Sequence, residues 1–201
     1  MKLTAIILAV GAFGLAGCAT NAARTNPAEA PPARIVLKPS DDAFAGAVKS
    51  LTAEEQATLK KGLGFTVDTL IVTPTTVDSM PWSRKRPDTP VRVSIADFVR
   101  FLDLQPPLAG SARVNIATAR VSAGLNYGGA TFDPVFRIQM EVESTNAGVI
   151  NISGFGVGPY VSRETDELSN ASPKLTQSAQ IAFMKAFLKA LLKINEAVQQ
   201  G

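Results

Sequence analysis

The chain has 201 residues, of which 46% are hydrophobic and 18% charged, and its formal net charge is +3. This balance is ordinary for a folded protein, and the charge is too small to indicate nucleic-acid binding. There is no histidine and only one cysteine, which excludes imidazole zinc sites, Ser-His-Asp or Cys-His catalysis, and a disulfide within the chain.

The N-terminus has the pattern of a secretory signal. A positive start, Met1-Lys2, is followed by an apolar run over residues 3–15 and by a small-residue step before Cys18. The run of about 13 residues is shorter than the roughly 20 that a membrane-spanning helix needs. Its ending, Leu15-Ala16-Gly17-Cys18, resembles the lipobox of bacterial lipoproteins.

The resemblance, which covers residues 1–18, implies a lipid anchor. Residues 1–17 would be removed, and Cys18 would carry diacylglyceryl and N-acyl (palmitate-type) chains that hold the protein permanently to a membrane. Ala19 in the next position resembles lipoproteins sorted to the outer membrane, so we expect a periplasm-facing protein there, with the inner membrane as the alternative. Two other interpretations remain open: a plain secretory signal with an incidental cysteine, and a buried N-terminal helix.

A tether is predicted to separate the anchor from the fold. Residues 18–34 are rich in Ala, Asn, Pro and Thr and show no apolar period, which is typical of a flexible linker. Apolar patterning starts at Ile35, so we predict a single periplasmic domain over residues 35–201.

The first elements of this domain are a short strand and two helices. Residues 35–37 predict a strand, and Ser40 begins a helix with apolar residues at helical spacing up to Leu51. Thr52 and Glu55 form a capping box for a second helix, which ends at Gly62.

Strands dominate the middle of the chain. Residues 65–74 and 112–122 predict strands, and residues 134–144 and 148–155 predict a hairpin with its turn at 145–148. Residues 91–98 also alternate as a strand does, although a helix over 94–103 is the rival interpretation.

The first arm of the hairpin has one apolar and one polar face. This alternation predicts an antiparallel sheet that is covered on one side only. The apolar face holds Phe136, Ile138, Met140 and Val142, and the polar face holds Arg137, Gln139, Glu141 and Glu143.

A long helix is predicted at the C-terminus. It begins at Ser172-Pro173 and runs to about Val198, and apolar side chains cover more than half of its circumference. Lys185, Lys189 and Lys193 form its wet stripe. The predicted fold class is α+β: an antiparallel sheet of about four to six strands, covered on one face by a helix from the N-terminal half and by this long helix.

The order of elements resembles small envelope α/β lipoproteins, those of curli secretion and those that activate penicillin-binding proteins. In these a helix leads through a Gly-Phe step into a strand, as residues 63–67 (LGFTV) do here. The resemblance is at the level of the fold and implies a role in envelope assembly.

Three further groups of residues are candidates for a chemical role. Glu141 and Glu143 suggest a carboxylate pair for glycan hydrolysis, or two solvated charges on a wet strand face. The acidic cluster Glu164, Asp166 and Glu167 lacks calcium-loop spacing and is expected to be a surface loop. The glycine-rich residues 154–160 do not match a dinucleotide fingerprint, and we expect a bend or bulge at the end of a strand.

One loop has the character of an interaction site. Residues 79–90 hold the only tryptophan, Trp82, beside three consecutive cations within a proline-framed stretch. This composition suits an anionic membrane surface, a lipopolysaccharide phosphate or an acidic partner. Alternatively, the loop is solvated and Trp82 packs back on the core of the domain. The candidate interaction residues are Trp82, Arg84, Lys85 and Arg86.

The sequence therefore favours a non-catalytic lipoprotein without cofactor or metal, which acts in envelope assembly or maintenance through contacts with an envelope protein. The alternative is a lipid- or glycan-binding module with a cavity between the sheet and the C-terminal helix. Peptidoglycan hydrolysis by Glu141 and Glu143 is a third hypothesis. Neither the partner nor the oligomeric state is predicted.

Overall fold

The computed structural model describes residues 35–71, 75–80, 89–106, 108–128, 131–162 and 173–201. For residues 75–80, 89–90 and 127–128 this description covers the backbone only. All of these residues belong to one compact unit.

Twelve helices and strands make up the described part of the chain. In chain order they are β1 (Ile35–Leu37), α1 (Asp41–Lys49), α2 (Ala53–Lys61), β2 (Phe65–Leu70), β3 (Thr75–Met80), β4 (Thr89–Val93), α3 (Ile95–Leu102), β5 (Ala112–Gly128), β6 (Thr131–Ser144), β7 (Gly148–Val157), β8 (Val161–Ser162) and α4 (Pro173–Gln200).

The strands form two sheets. A three-stranded sheet has the order β1-β4-β3, and a five-stranded sheet has the order β2-β5-β6-β7, with β8 paired to the start of β6. The α+β class is confirmed, but the prediction of a single antiparallel sheet was wrong, since there are two sheets and each contains a parallel pair. The larger sheet is mixed because β2 pairs with β5 in parallel, and such a pair needs a long crossover, which here contains β3, β4 and α3.

The start of α2 has the predicted capping box. The hydroxyl of Thr52 accepts a hydrogen bond from the backbone N–H of Glu55 at 3.2 Å, and the Glu55 carboxylate accepts one from the N–H of Thr52 at 2.8 Å. The helix ends at Gly62, whose φ of 92° suits glycine. Both ends of this helix are therefore determined locally, as the sequence predicted.

Residues 91–98 are strand only at their beginning. β4 ends at Val93, and Ser94 caps α3 by accepting a hydrogen bond from the N–H of Asp97. The strand prediction was therefore wrong for residues 95–98, where the rival helix forms. The helix wins because four buried residues follow helical spacing: Ile95, Phe98, Val99 and Leu102.

Four of the residues in the predicted loop over 79–90 are strand in the structure. Residues 79–80 belong to β3 and residues 89–90 to β4, and Met80 pairs with Thr89. The proline-rich composition suggested loop throughout. The pairing continues past Pro90 only with a register irregularity, as expected where proline removes a backbone donor.

The hairpin prediction is confirmed. β6 and β7 pair from Val135↔Val157 to Ser144↔Gly148 and leave a three-residue loop. Gly148 has a φ of +68°, the left-handed conformation that closes such loops. The apolar face of β6 is buried as predicted, with its four side chains at most 2% exposed.

β5 extends six residues past its predicted end at Ser122, to Gly128, because β6 pairs along its whole length. Its register shifts between Ile116 and Thr118, which marks a bulge at Ala117. The inward-facing residues are even-numbered before the bulge and odd-numbered after it, such as Val114 and Val121.

α4 lies at the centre of the core and is packed on several sides. It contacts β6 and β7 on one side and α1 on another. An edge-on aromatic cluster joins it to α3 and β6, with ring centroids of Phe98 and Phe183 at 4.6 Å and of Phe136 and Phe183 at 5.7 Å. This helix is buried as its broad apolar surface predicted.

The glycines of β7 allow α4 to approach the strand backbone. A Cβ added at Gly154 would lie 1.9 Å from the carbonyl oxygen of Ala186, and one at Gly156 would lie 2.1 Å from that of Ala182. Two residues along a strand span about 6.7 Å, and four residues along a helix span about 6 Å. Gly154 therefore lies opposite Ala186 while Gly156 lies opposite Ala182. Of the residues 154–160 predicted to form a bend or bulge at the end of a strand, residues 154–157 instead continue β7, which pairs with β6 there without a register shift and ends at Val157.

Candidate interaction surface

The residues predicted to carry function lie mainly outside the described residues. These are Cys18 with the tether, the loop residues Trp82, Arg84, Lys85 and Arg86, and the acidic cluster Glu164, Asp166 and Glu167. Lipid attachment at Cys18 and the interaction loop remain predictions.

Glu141 and Glu143 lie on the uncovered face of the larger sheet. Glu143 is exposed and Glu141 half-buried, and β5 and β7 flank both. Glu141 lines an open depression of about 460 Å³ together with Arg120 and Gln139, whereas Glu143 does not. The two carboxylates therefore share a face but do not share this depression.

Within the described ranges, no group of three or more His, Cys, Asp and Glu side chains could hold a metal ion. None of the helices in those ranges combines the length and the apolar character needed to cross a membrane.

The contact between the larger sheet and α4 is closely filled. Carbonyl oxygens of α4 lie only 1.9 and 2.1 Å from the positions that Cβ atoms at Gly154 and Gly156 would take. Phe136, Phe183 and Phe187 are fully buried beside them. A ligand has no room where these backbones and rings meet.

The three lysines predicted to form the wet stripe of α4 run along β7. Lys185, Lys189 and Lys193 are four residues apart and share one side of the helix. The Lys193 ammonium donates a hydrogen bond to the carbonyl of Ser153 at 2.7 Å. A Cβ at Gly156 would lie 3.1 Å from the Cβ of Lys185. We call these three side chains the lysine row.

Beyond the lysine row, α2 forms one wall of an open groove. Its volume is about 690 Å³, and it is bounded by α2, α4 and β7. Lys189 bridges it by an ion pair with Glu55 at 3.4 Å. The groove is lined by Thr52, Glu54, Glu55, Thr58, Phe155, Lys189, Leu192, Lys193, Asn195, Glu196 and Gln199.

The charges in this region perturb one another. Partial burial raises the pKa of Glu55, but the backbone hydrogen bond from Thr52 and the charge of Lys189 outweigh it, so the pKa lies below its ordinary value. Burial and the neighbouring charge of Lys189 lower the pKa of Lys185, although Glu55 opposes this shift. The surroundings of Glu55 thus favour its charged form, whereas those of Lys185 disfavour its charged form.

β7 is an edge strand in the described part of the fold. It pairs with β6 on one side, and no described strand pairs with its other side. Two of its outward-facing side chains are large, apolar and exposed: Val149 at 63% and Phe155 at 47%. Exposed edges of this kind are sites where another strand can add.

Sequence reasoning identified the lysine row but not its neighbours. The odd-numbered residues of β7 follow the same alternation as those of β6, so Phe155 could have been placed on the uncovered face from the strand period alone. Its position beside the lysine row depends on how α4 crosses β7, which the strand and helix periods do not specify.

The sequence matches no protein-family model, and no curated protein is detectably similar to it.

Proposed function

We propose that the protein is a membrane-anchored lipoprotein with a non-catalytic role in cell-envelope assembly or maintenance through contacts with other proteins. The observation that carries this proposal is the lipobox Leu15-Ala16-Gly17-Cys18 at the end of a signal-like apolar run. Acyl chains on Cys18 would keep the folded unit next to a bilayer.

The properties of the folded unit are consistent with a contact module. Its core is closely filled, and the apolar side chains Val149 and Phe155 are exposed on an edge strand. The filled contact between sheet and α4 gives no support to the alternative of a lipid or glycan held there.

The envelope role and the location draw on the resemblances in the sequence. The Gly-Phe step at residues 63–67 resembles small envelope lipoproteins, and Ala19 after the cysteine resembles proteins sorted to the outer membrane. We propose a periplasm-facing location at the outer membrane, with the loop around Trp82 as a further contact site.

The anchor is tested with Cys18→Ser in the full chain. The native protein is expected in the membrane fraction, with a mass that reflects loss of residues 1–17 and gain of acyl chains. The variant should lose the acyl mass and leave the membrane fraction, while a Thr20→Ser control behaves as the native protein. Unchanged mass and fractionation of Cys18→Ser would contradict the proposal.

The sorting step has its own variant. Ala19→Asp keeps the lipobox intact, so it should remain membrane-bound. In lipoproteins sorted as in enteric bacteria, Asp after the lipidated cysteine retains the protein in the inner membrane, so Ala19→Asp should move from the outer-membrane to the inner-membrane fraction in a density gradient. Native protein in the inner-membrane fraction would contradict the proposed location without affecting the anchor.

A further inference from the structure

The edge of β7 that no described strand pairs with lies beside the lysine row. The Lys193 ammonium already bonds to the backbone carbonyl of Ser153 in this strand. An ammonium on an edge strand occupies a position that the N–H of an added strand would otherwise take. Because the lysine side chain is flexible and exposed, an incoming strand could replace its hydrogen bond and release the charge.

The released charge would need an anion. Within the described part of the chain, Lys185 and Lys193 form no ion pair, whereas Lys189 is paired with Glu55. β7 itself carries no charged residue. The carboxylates that line the groove stand on α2 and at Glu196 rather than on the strand edge. The edge of β7 is therefore bordered by two cations without a carboxylate partner.

The two sides of an added strand would meet different surroundings. Successive side chains in a strand point to opposite faces of the sheet. On the face that α4 covers they would lie beside the lysine row. On the uncovered face they would lie beside Val149 and Phe155, which are exposed and apolar, although Phe155 also lines the groove at this edge. An alternation of acidic and apolar residues fits both surroundings.

A second copy of this chain fits the edge less well. If β7 paired with β7 of another copy, each would bring its own lysine row to the shared edge. Like charges placed close together across paired strands are destabilising. The charges thus favour a different, acidic segment over self-association.

We propose that the edge of β7 binds an extended segment of a partner protein in which acidic and apolar residues alternate, and that this segment adds to the larger sheet as a further strand. The proposal rests on the proposed function, since it names the chemistry of one protein contact. This mode of recognition uses backbone hydrogen bonds for affinity and alternate side chains for specificity.

The test uses the full chain in detergent micelles and two synthetic decapeptides, one alternating Val and Glu and one alternating Val and Lys. The readout is hydrogen exchange of the backbone amides of residues 149–157. At a peptide concentration ten times Kd, the Val-Glu peptide should slow exchange in β7 about tenfold, and the Val-Lys peptide should not. Equal slowing by both peptides, or none by either, would overturn the proposal.

Variants separate charge from shape. The double variant Lys185→Glu, Lys193→Glu should reverse the preference, so that the Val-Lys peptide protects β7. Lys49→Glu makes the same kind of change on α1 and should retain the preference for the Val-Glu peptide. Protection of β7 without peptide that grows with protein concentration would show self-association instead and overturn the proposal. None of these results alters the outcome expected for Cys18→Ser, so the proposed function is tested separately.

Discussion

The two faces of the β6–β7 hairpin differ in what they touch. On the inner face, Phe136 is fully buried and α4 lies directly on the backbone at Gly154. On the outer face, Arg137 and Phe155 are exposed to solvent. One pair of strands therefore has a closely packed inner face and, within the described residues, an edge at β7 that no other strand pairs.

This difference shows how a small domain can keep an edge available. Because the inner face is packed against the long helix, the outer face of the hairpin can remain exposed to solvent. The lysine row on the same helix then borders that edge, so the element that stabilises the strand also determines the charge beside it.

The largest expected effect compares a phenylalanine from each face. Phe183→Ala removes a fully buried ring that contacts Phe98 and Phe136, and should lower the free energy of unfolding by about 3–5 kcal/mol. Phe155→Ala removes an exposed ring and should change it by less than about 0.5 kcal/mol. Urea unfolding measures both, and similar losses would contradict the assignment of the two faces.

The next effect is expected from Gly154→Ala. The added Cβ would meet the carbonyl of Ala186, so strand and helix must move apart, at a cost of about 1–3 kcal/mol. Gly124→Ala in β5 is the control, because nothing lies within 4 Å of its added Cβ. That change should be neutral or stabilise by up to about 1 kcal/mol through the unfolded state. Equal melting temperatures of the two variants would mean that α4 does not touch the strand backbone.

A smaller, pH-dependent effect is expected from Glu55→Gln. Glutamine can still complete the capping box, so the substitution removes mainly the charge that pairs with Lys189. Since the folded pKa of Glu55 lies below its ordinary value, the carboxylate stabilises the fold above its unfolded pKa, and this contribution is lost as pH falls through the folded pKa. At neutral pH the free energy of unfolding of the native protein should exceed that of the variant by about 0.2–1 kcal/mol.

That advantage should disappear on acidification toward about pH 3, below the ordinary range of a glutamate pKa. Glu54→Gln removes a charge from the same turn without breaking the Lys189 ion pair, and it is the control. Melting temperatures across this range provide the measurement. A gap between native and Glu55→Gln that is constant with pH would show that the ion pair does not contribute.

The smallest effect is expected from Lys185→Gln. Burial and the charge of Lys189 lower the pKa of Lys185, so its charged form costs stability at neutral pH, and this cost falls only as pH rises through the folded pKa. Removing the charge should raise the free energy of unfolding by at most about 0.5 kcal/mol, and the melting temperature slightly with it. Lys60→Gln, at an exposed position on α2, should not raise it. A lower melting temperature for Lys185→Gln would contradict the electrostatic account of the lysine row.

Local signals were sufficient for part of the fold. The capping box at Thr52 depends on residues that are close in sequence, and so does the hairpin turn that ends at Gly148. The burial of α4 follows from the width of its apolar surface. Each of these features was predicted because neighbouring residues determine it.

Contacts between distant segments were not predictable in the same way. The predicted strand over residues 91–98 and the rival helix over 94–103 overlap at residues 94–98, and only the helical spacing of Phe98, Val99 and Leu102 distinguishes the two. The parallel pairing of β2 with β5 joins segments separated by a long crossover. The glycines of β7 suggested a bulge because the sequence does not show that Ala182 and Ala186 lie against them.

The candidate surface follows the same division. The lysine row was recognisable from its spacing of four residues, and the alternation in β7 would place Phe155 on the outer face. Their proximity arises from the packing of α4 on β7. The proposed role of Cys18 depends only on the resemblance of residues 15–18 to a lipobox, and the loop around Trp82 lies outside the described residues.

The most direct test of the account is photo-crosslinking in cells from single positions of the full chain. A photoreactive phenylalanine analogue replaces Phe155 or Trp82, and the control replaces Leu104, which is 83% exposed after α3. The account predicts adducts with an envelope protein from position 155 that are lost with Lys185→Glu, Lys193→Glu and absent from position 104. Adducts from position 82 would add the predicted loop to the contact surface. Equal adducts from positions 155 and 104, or none from any position, would contradict the account.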